Sequence, residues 1–195
     1  MSTSPLTDAE VIARVLGGEP DAYEAIVRRH EGILYRFARG MGFDHDTCLD
    51  VVQDALVKAY DKLADCRDPS RFRAWLFRIA RNLCFDVLRR ARQIAIPLSH
   101  VAEAESIADE RPDALQRSMV HQALDRLSPV LREAFLLKHD AGYTYEEIAD
   151  ITGAGPSAVK MRVHRARLEL CEYFEAPEQS TNAWVTNPPH LPSTS

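Results

Sequence analysis

Apolar side chains return at helical intervals along most of this chain, and almost nowhere do they alternate as a strand would require. Thr7-x-x-Glu10 is a capping box that opens a short helix ending at Gly17-Gly18. Pro20 then starts a second helix whose buried side is Tyr23, Ile26, Val27, Ile33, Leu34 and Phe37, broken at Gly40 to Gly42. A third helix runs from about Asp46 to Leu63, and Asp65 to Ser70 forms a turn in which Pro69 launches a long helix from Phe72 to Arg90. Along that helix Phe72, Leu76, Ile79, Leu83 and Val87 fall on one stripe, while Arg78, Arg81, Asn82, Phe85 and Arg89 lie opposite. Val, Ile and Thr never alternate with polar residues over a strand's length, so the expected fold is all-α.

The pattern changes after Arg92. Pro97, Ser99, Glu103, Glu105, Asp109, Glu110 and Pro112 punctuate a stretch poor in large apolar residues, which reads as a flexible linker over 93–111. Two small helical domains are therefore expected, 1–92 and 112–175. The second should hold helices near 113–127, 129–140, 144–152 and 156–174, and 176–195 reads as a disordered tail.

Charge sharpens this picture. The 195-residue chain carries a net charge of -5, yet from Arg67 to Arg92 eight arginines face only Asp68 and Asp86. Cations concentrated beside aromatic rings suit a surface that neutralises phosphates and stacks bases. Trp75 borders the apolar stripe, where packing and stacking are equally open to it. Cys48, Cys66, Cys84 and Cys171 are far apart and form no Cys-x-x-Cys pair, so neither a disulfide framework, a zinc site nor any other cofactor is expected. No apolar run approaches the roughly 20 residues that span a bilayer, and the first residues lack a signal pattern, which predicts a cytoplasmic protein.

Two further constellations carry chemistry. Thr144-x-x-Glu147 is a second capping box, followed by a turn at Thr152-Gly153-Ala154-Gly155 and a new helix from Pro156. There Val159, Val163, Ala166 and Leu170 take the core side and leave Ser157, Lys160, Met161, Arg162, His164, Arg165 and Arg167 outward. This is a helix-turn-helix, whose second helix enters the major groove. Lys160 and Arg165 lead as base or near-base contacts, and Arg162 and Arg167 as phosphate contacts. A helical hairpin with a solvated basic face is the plainer alternative. On the third helix Asp44, Asp46, Asp50, Gln53 and Asp54 form an acidic and amide patch around Val51 and Val52. Carboxylates complementing the helix dipole would explain part of it, but beside two basic surfaces it reads as a protein-binding face.

These motifs together resemble the extracytoplasmic-function group of the bacterial sigma-70 family, over about residues 20 to 175. Asp50-Val51-Val52-Gln53-Asp54-Ala55 resembles the segment that binds the clamp helices of the RNA polymerase largest subunit. Phe72-Arg73-Ala74-Trp75-Leu76 with Ile79-Ala80-Arg81-Asn82 resembles the -10 melting segment, and Tyr145 to Ala149 with Val159 to Arg167 the -35 reader. The resemblance implies a sigma factor without bond-making chemistry, which takes core polymerase to promoters and helps melt the -10 region. Its second domain would be a winged-helix-like region 4 that also meets the flap of the second-largest subunit. It implies that Asp50, Val51, Gln53 and Asp54 bind polymerase, that Arg73, Trp75, Arg78, Arg81 and Asn82 hold the unpaired -10 strand, and that an extruded base lodges at the Asp65 to Ser70 loop. The family is commonly held inactive by an anti-sigma factor. Leu49 departs from the family's usual acid, as do Ser157-Ala158 and Met161 from its Gly-Thr and Ser.

A conventional helix-turn-helix regulator with a helical effector domain explains 113–174 equally well, but not the N-terminal arginine-aromatic helix. A helical enzyme finds no nucleophile, base and orienter in a recognisable arrangement, and Asp44, Asp46 and Asp50 lack the partners of a metal site.

Overall fold

The computed structural model describes the backbone of residues 6–93 and 112–175, and the side chains of all of these but 92 and 112–118. Of the linker expected over 93–111, Gln93 is instead the last residue of α4, and the remainder lies outside the described residues, as does the expected tail. Four α-helices make the first unit: α1 (Asp8–Leu16), α2 (Glu24–Gly40), α3 (His45–Asp61) and α4 (Phe72–Gln93), with short 3₁₀ turns at Pro20–Tyr23, Leu63–Asp65 and Pro69–Arg71. Four more make the second: α5 (Pro112–Arg126), α6 (Pro129–His139), α7 (Tyr145–Thr152) and α8 (Pro156–Glu175). Among the described residues there is no strand, so the second unit is a purely helical helix-turn-helix without the wing that the resemblance suggested.

Both expected capping boxes form. The Thr7 and Thr144 hydroxyls accept from the backbone N–H of Glu10 and Glu147, whose carboxylates accept in return from the N–H groups of Thr7 and Thr144. Pro20 opens a 3₁₀ turn, its ring presetting the first φ, and the second helix proper begins at Glu24. At α3 the N-cap is Asp44, which accepts from Thr47 N–H at 2.7 Å. That hydrogen bond, led by the backbone donor, holds its carboxyl below the ordinary carboxylate range.

The buried face of α4 is rotated from the expected stripe. Phe72, Leu76, Phe77, Ala80 and Cys84 are buried, whereas Ile79, Leu83 and Val87 are half-buried. Ala80 and Cys84 carry small side chains that let α3 approach α4 closely, so large residues move to the flanks. Phe77 turns toward Phe37 at a centroid distance of 5.6 Å and toward Tyr143 of the second unit at 5.2 Å.

That last contact belongs to a broad junction. The buried apolar residues form one cluster running through both units, with α4 against α7 and α2 against α6. Gly40, at the end of α2, lies so close to Leu136 that a Cβ there would come within 2.6 Å of Leu136 Cδ2. Gly42 follows with φ of 94°, a left-handed conformation that glycine adopts without penalty, and Arg132 Nη1 of α6 donates to the neighbouring Met41 carbonyl at 2.8 Å.

Candidate nucleic-acid interface

Helix α8 presents the first surface. Gly153, at φ 72°, ends α7 in the left-handed conformation, and its N–H donates to Ala149 O at 2.8 Å. The turn sets α8 against α6, seating Val159, Val163 and Ala166 in the core at 0%, 2% and 0% exposure. A helix cannot bury that stripe without turning the other side to solvent, so Ser157, Lys160, Met161, His164, Arg165 and Arg167 are all exposed. Met161, at 60%, is an apolar side chain set among cations. Arg162 is half-buried, near enough to Glu133 to act on its charge.

Helix α4 presents the second. A cleft of about 460 Å³ opens between the loop Asp65, Cys66, Arg67 and Asp68 and the α4 residues Ala74, Trp75 and Arg78, with Asp150 and Ile151 of α7 closing its far side. The loop is held by Asp68, whose carboxylate accepts from Ser70 Oγ at 2.6 Å and Ser70 N–H at 3.0 Å and is thereby kept below the ordinary carboxylate range. Burial pushes the Cys66 thiol up, against a reactive role. Trp75 takes an intermediate place, half-buried at 5.7 Å from the Phe72 ring and with an edge on the cleft. Arg78 and Asn82 are exposed.

Two of the arginines expected on this face are already engaged. Arg73 Nη2 donates to Ala141 O at 2.6 Å, and its guanidinium lies 4.7 Å from the centre of the Tyr143 ring. Arg81 Nε donates to Glu133 Oε1 at 2.6 Å while the guanidinium lies over Phe85 at 4.4 Å. Arg71 adds a 2.7 Å pair with Asp150. Helical periodicity could place the arginines on one face but could not reveal partners 52 to 79 positions away. Glu133 is 0% exposed. Burial raises its carboxyl above the ordinary range, with Arg81 and Arg162 opposing. Its setting in Leu131-Arg132-Glu133-Ala134-Phe135-Leu136 carried a signal: an acid inside an apolar run needs a cationic partner.

Helix α3 presents the third surface, and here the expectation needs correction. Asp50, Gln53 and Asp54 are exposed, but Val51 is 5% exposed and packs in the core beside Val52. The apolar component of this face comes instead from Leu49, Val57 and Tyr60, at 48%, 52% and 42% exposure. Leu49, Gln53 and Val57 are four residues apart, so a helical wheel centred on Gln53 would have found them. Among the described residues no group of three or more His, Cys, Asp or Glu gathers as a metal site, and no helix is long and apolar enough to cross a membrane.

Residues 26–94 match the family described as Sigma-70 region 2, and residues 117–170 match Sigma-70, region 4. The chain is 32% identical over 183 residues to the RNA polymerase sigma factor NccH of Alcaligenes xylosoxydans xylosoxydans, covering 89% of this chain and 98% of that one. It is also 32% identical over 164 residues to the ECF RNA polymerase sigma factor SigM of Mycobacterium tuberculosis, covering 84% and 83%. Among solved structures, CnrH in complex with the cytosolic domain of CnrY aligns with a TM-score of 0.69 at 32% identity, over 87% of this chain and 98% of that chain. RpoE bound to the anti-sigma factor NepR from Bartonella quintana aligns with a TM-score of 0.63 at 30% identity, over 80% and 98%. With both regions matched in order, one carrying an open recognition helix and the other an arginine-lined cleft, the chain belongs to the sigma-70 family of RNA polymerase sigma factors, in its extracytoplasmic-function group.

Proposed function

We propose a division of labour for this sigma factor in which α8 reads the -35 duplex, α4 and its cleft hold the unpaired -10 strand, and α3 docks on core polymerase. The observation that carries it is the pairing, in one chain, of a solvent-open basic recognition helix with an arginine-lined cleft floored by an aromatic ring. On this reading residues 1–92 act as the region 2 domain and 112–175 as the region 4 domain, with 93–111 spanning two promoter elements and 176–195 a tail.

On α8, Ser157, Lys160, Met161 and Arg165 lie toward base edges, and Arg162, His164 and Arg167 fix the helix on the backbone. On α4, Arg73, Trp75, Arg78, Arg81 and Asn82 take the strand, and the loop from Asp65 to Ser70 accepts an extruded base. Unstacking a base costs a few kcal/mol, which stacking and charge contacts of similar size offset. Because Arg73 and Arg81 hold the second unit, they reach a strand only after the two units part. That separation fits a protein that grips single-stranded promoter DNA only on polymerase.

On α3, Asp50, Gln53 and Asp54 supply charge and amide hydrogen bonds to the polymerase clamp helices. Leu49, Val57 and Tyr60 supply apolar area around them. RpoE was solved with the anti-sigma factor NepR, and a partner of that class is proposed for this chain too, acting in the cytoplasm. Run-off transcription from a randomised promoter library, with core polymerase and this protein, tests the assignment. Enriched -35 and -10 elements at fixed spacing are expected, and enrichment of a single element would overturn the division. Gln53→Ala with Asp54→Ala should abolish co-purification with core polymerase while leaving the helical content unchanged.

A further inference from the structure

The buried stripes of two helices in the second unit run past the end of its core. On α8, Val159, Val163 and Ala166 are buried and Leu170 packs against that core, but the next residue of the stripe, Phe174, is 49% exposed. On α5, Ala123 and Leu124 are buried, while Val120, one turn earlier on the same stripe, is 49% exposed with Met119 beside it at 39%. The two overruns share one place. Tyr173 Oη donates to Gln122 Oε1 of α5 at 3.5 Å, and the Tyr173 ring lies 5.7 Å from the Arg126 guanidinium and 5.3 Å from the Phe174 ring. Val120 and Phe174 each stand within one helical turn of that contact between Gln122 and Tyr173. Single apolar residues scattered over a surface need no explanation, but two core stripes left open at the same end form a ledge that fits an apolar occupant. The α8 residues assigned to DNA end at Arg167, and the match to region 4 ends at residue 170, so this ledge lies outside both.

We propose that the chain's own C-terminal segment, Ala183-Trp184-Val185, docks on this ledge. Helix α8 ends at Glu175, one residue after Phe174, and residues 176–195 follow it directly. The largest apolar side chain among them is Trp184, and an indole removes roughly 150–250 Å² from water when it packs. Trp184 stands ten positions after Phe174, a reach of up to about 33 Å in extended chain against a helix diameter of about 10 Å. So short a tether holds the indole near the ledge at an effective concentration on the order of millimolar. Residues 176–195 contain no lysine or arginine that would draw them to DNA instead. The segment 94–111 is the poorer candidate, being tied to a helix at both ends and carrying no aromatic side chain. The far end of the second unit is then closed by its own chain, and a protein partner that uses this end must first displace Trp184.

The test uses the full chain carrying Trp75→Phe, which leaves Trp184 as its only tryptophan. Its emission should lie at shorter wavelength than that of a synthetic peptide of residues 176–195, because a docked indole leaves water. Emission equal to the peptide's overturns the proposal. The place of docking is read by acrylamide quenching. Adding Phe174→Ser, or independently Val120→Ser, should raise the quenching constant about twofold, since a ring docked by one face hides about half its surface from the quencher. Both positions are already half open to water, so the helical content measured by circular dichroism should not change. Leu168→Ser, at a 51% exposed position on the opposite side of α8 from Leu170, should leave the constant as it was. A constant that neither ledge variant raises, or that Leu168→Ser raises as much, puts the indole elsewhere and overturns the proposal. So does a short-wavelength emission that reverts to the peptide's on dilution, which would give the ledge to the tail of a second copy. Should both ledge variants lose helical content, the comparison of emission with the peptide still decides.

Discussion

Replacing Arg81 with alanine should be among the most damaging single changes outside the apolar core. The Glu133 side chain is 1% exposed and its Oε1 rests on Arg81 Nε at 2.6 Å, while Oε2 makes no hydrogen bond. Removing the guanidinium leaves a buried carboxylate with no hydrogen-bonded partner, Arg162 acting on it only through charge. Breaking a buried pair in this way costs about 3–5 kcal/mol, whereas replacing both members by apolar residues is often neutral or stabilising. Arg81→Ala should therefore lower unfolding free energy by about 3 kcal/mol, Glu133→Gln by less, and Arg81→Met with Glu133→Leu by under about 1 kcal/mol. The pH dependence follows from the raised Glu133 carboxyl. An acid whose folded value lies above its unfolded one favours the folded state below the unfolded value, about 4.5, and loses that contribution as pH rises through the folded value. The Arg81→Ala defect should accordingly be largest at neutral pH and shrink as pH falls through the raised folded value. Urea unfolding of the full chain, followed by circular dichroism across this range, measures both. A cost below about 0.5 kcal/mol, typical of an exposed surface site, would refute burial of Glu133 against Arg81.

Three further outcomes are expected. Gly40→Ala should destabilise by about 1–3 kcal/mol through overpacking on Leu136, although alanine is the better helix former; a net gain in a denaturant titration would mean that α2 and α6 do not approach closely. Asp44→Ala should cost about 1 kcal/mol as a lost N-cap. Because the Asp44 carboxyl is held below 3.8, that contribution is present above this value and lost as pH falls through the lowered one, so parent and variant should converge in strong acid. Met161, exposed amid the cations of α8, should contact a thymine methyl in the -35 duplex. Exchanging that thymine for deoxyuridine should weaken binding roughly fourfold, about the 0.8 kcal/mol of one buried methylene, and Met161→Ala should erase the difference; a loss that persists in the variant would exclude the contact.

Local chemistry accounts for most of what could be read without coordinates. Capping boxes at Thr7 and Thr144, the prolines at 20, 69 and 156, and glycines at the breaks are decided within four or five residues, so helix order and the helix-turn-helix were legible. The outward set on α8 was legible too, since Val159, Val163 and Ala166 are regular enough to fix the opposite face. Small or similar side chains spoiled the same inference elsewhere. Ala80 and Cys84 carry the α4 contact that Ile79, Leu83 and Val87 were expected to carry, and Val51 proved to be a core residue where Leu49 and Val57 are the exposed pair.

The arginines of α4 mark the boundary between the two kinds of knowledge. Their number, spacing and aromatic neighbours follow from the chain alone, and so does the expectation that they meet nucleic acid, because periodicity and charge are local properties. Which of them are free does not. Arg78 faces water, while Arg73 and Arg81 are held by Ala141, Tyr143 and Glu133, groups brought to them only by packing of the second unit on the first. Burial and pairing across tens of residues depend on how two apolar faces close on each other, and no helical period encodes that closure.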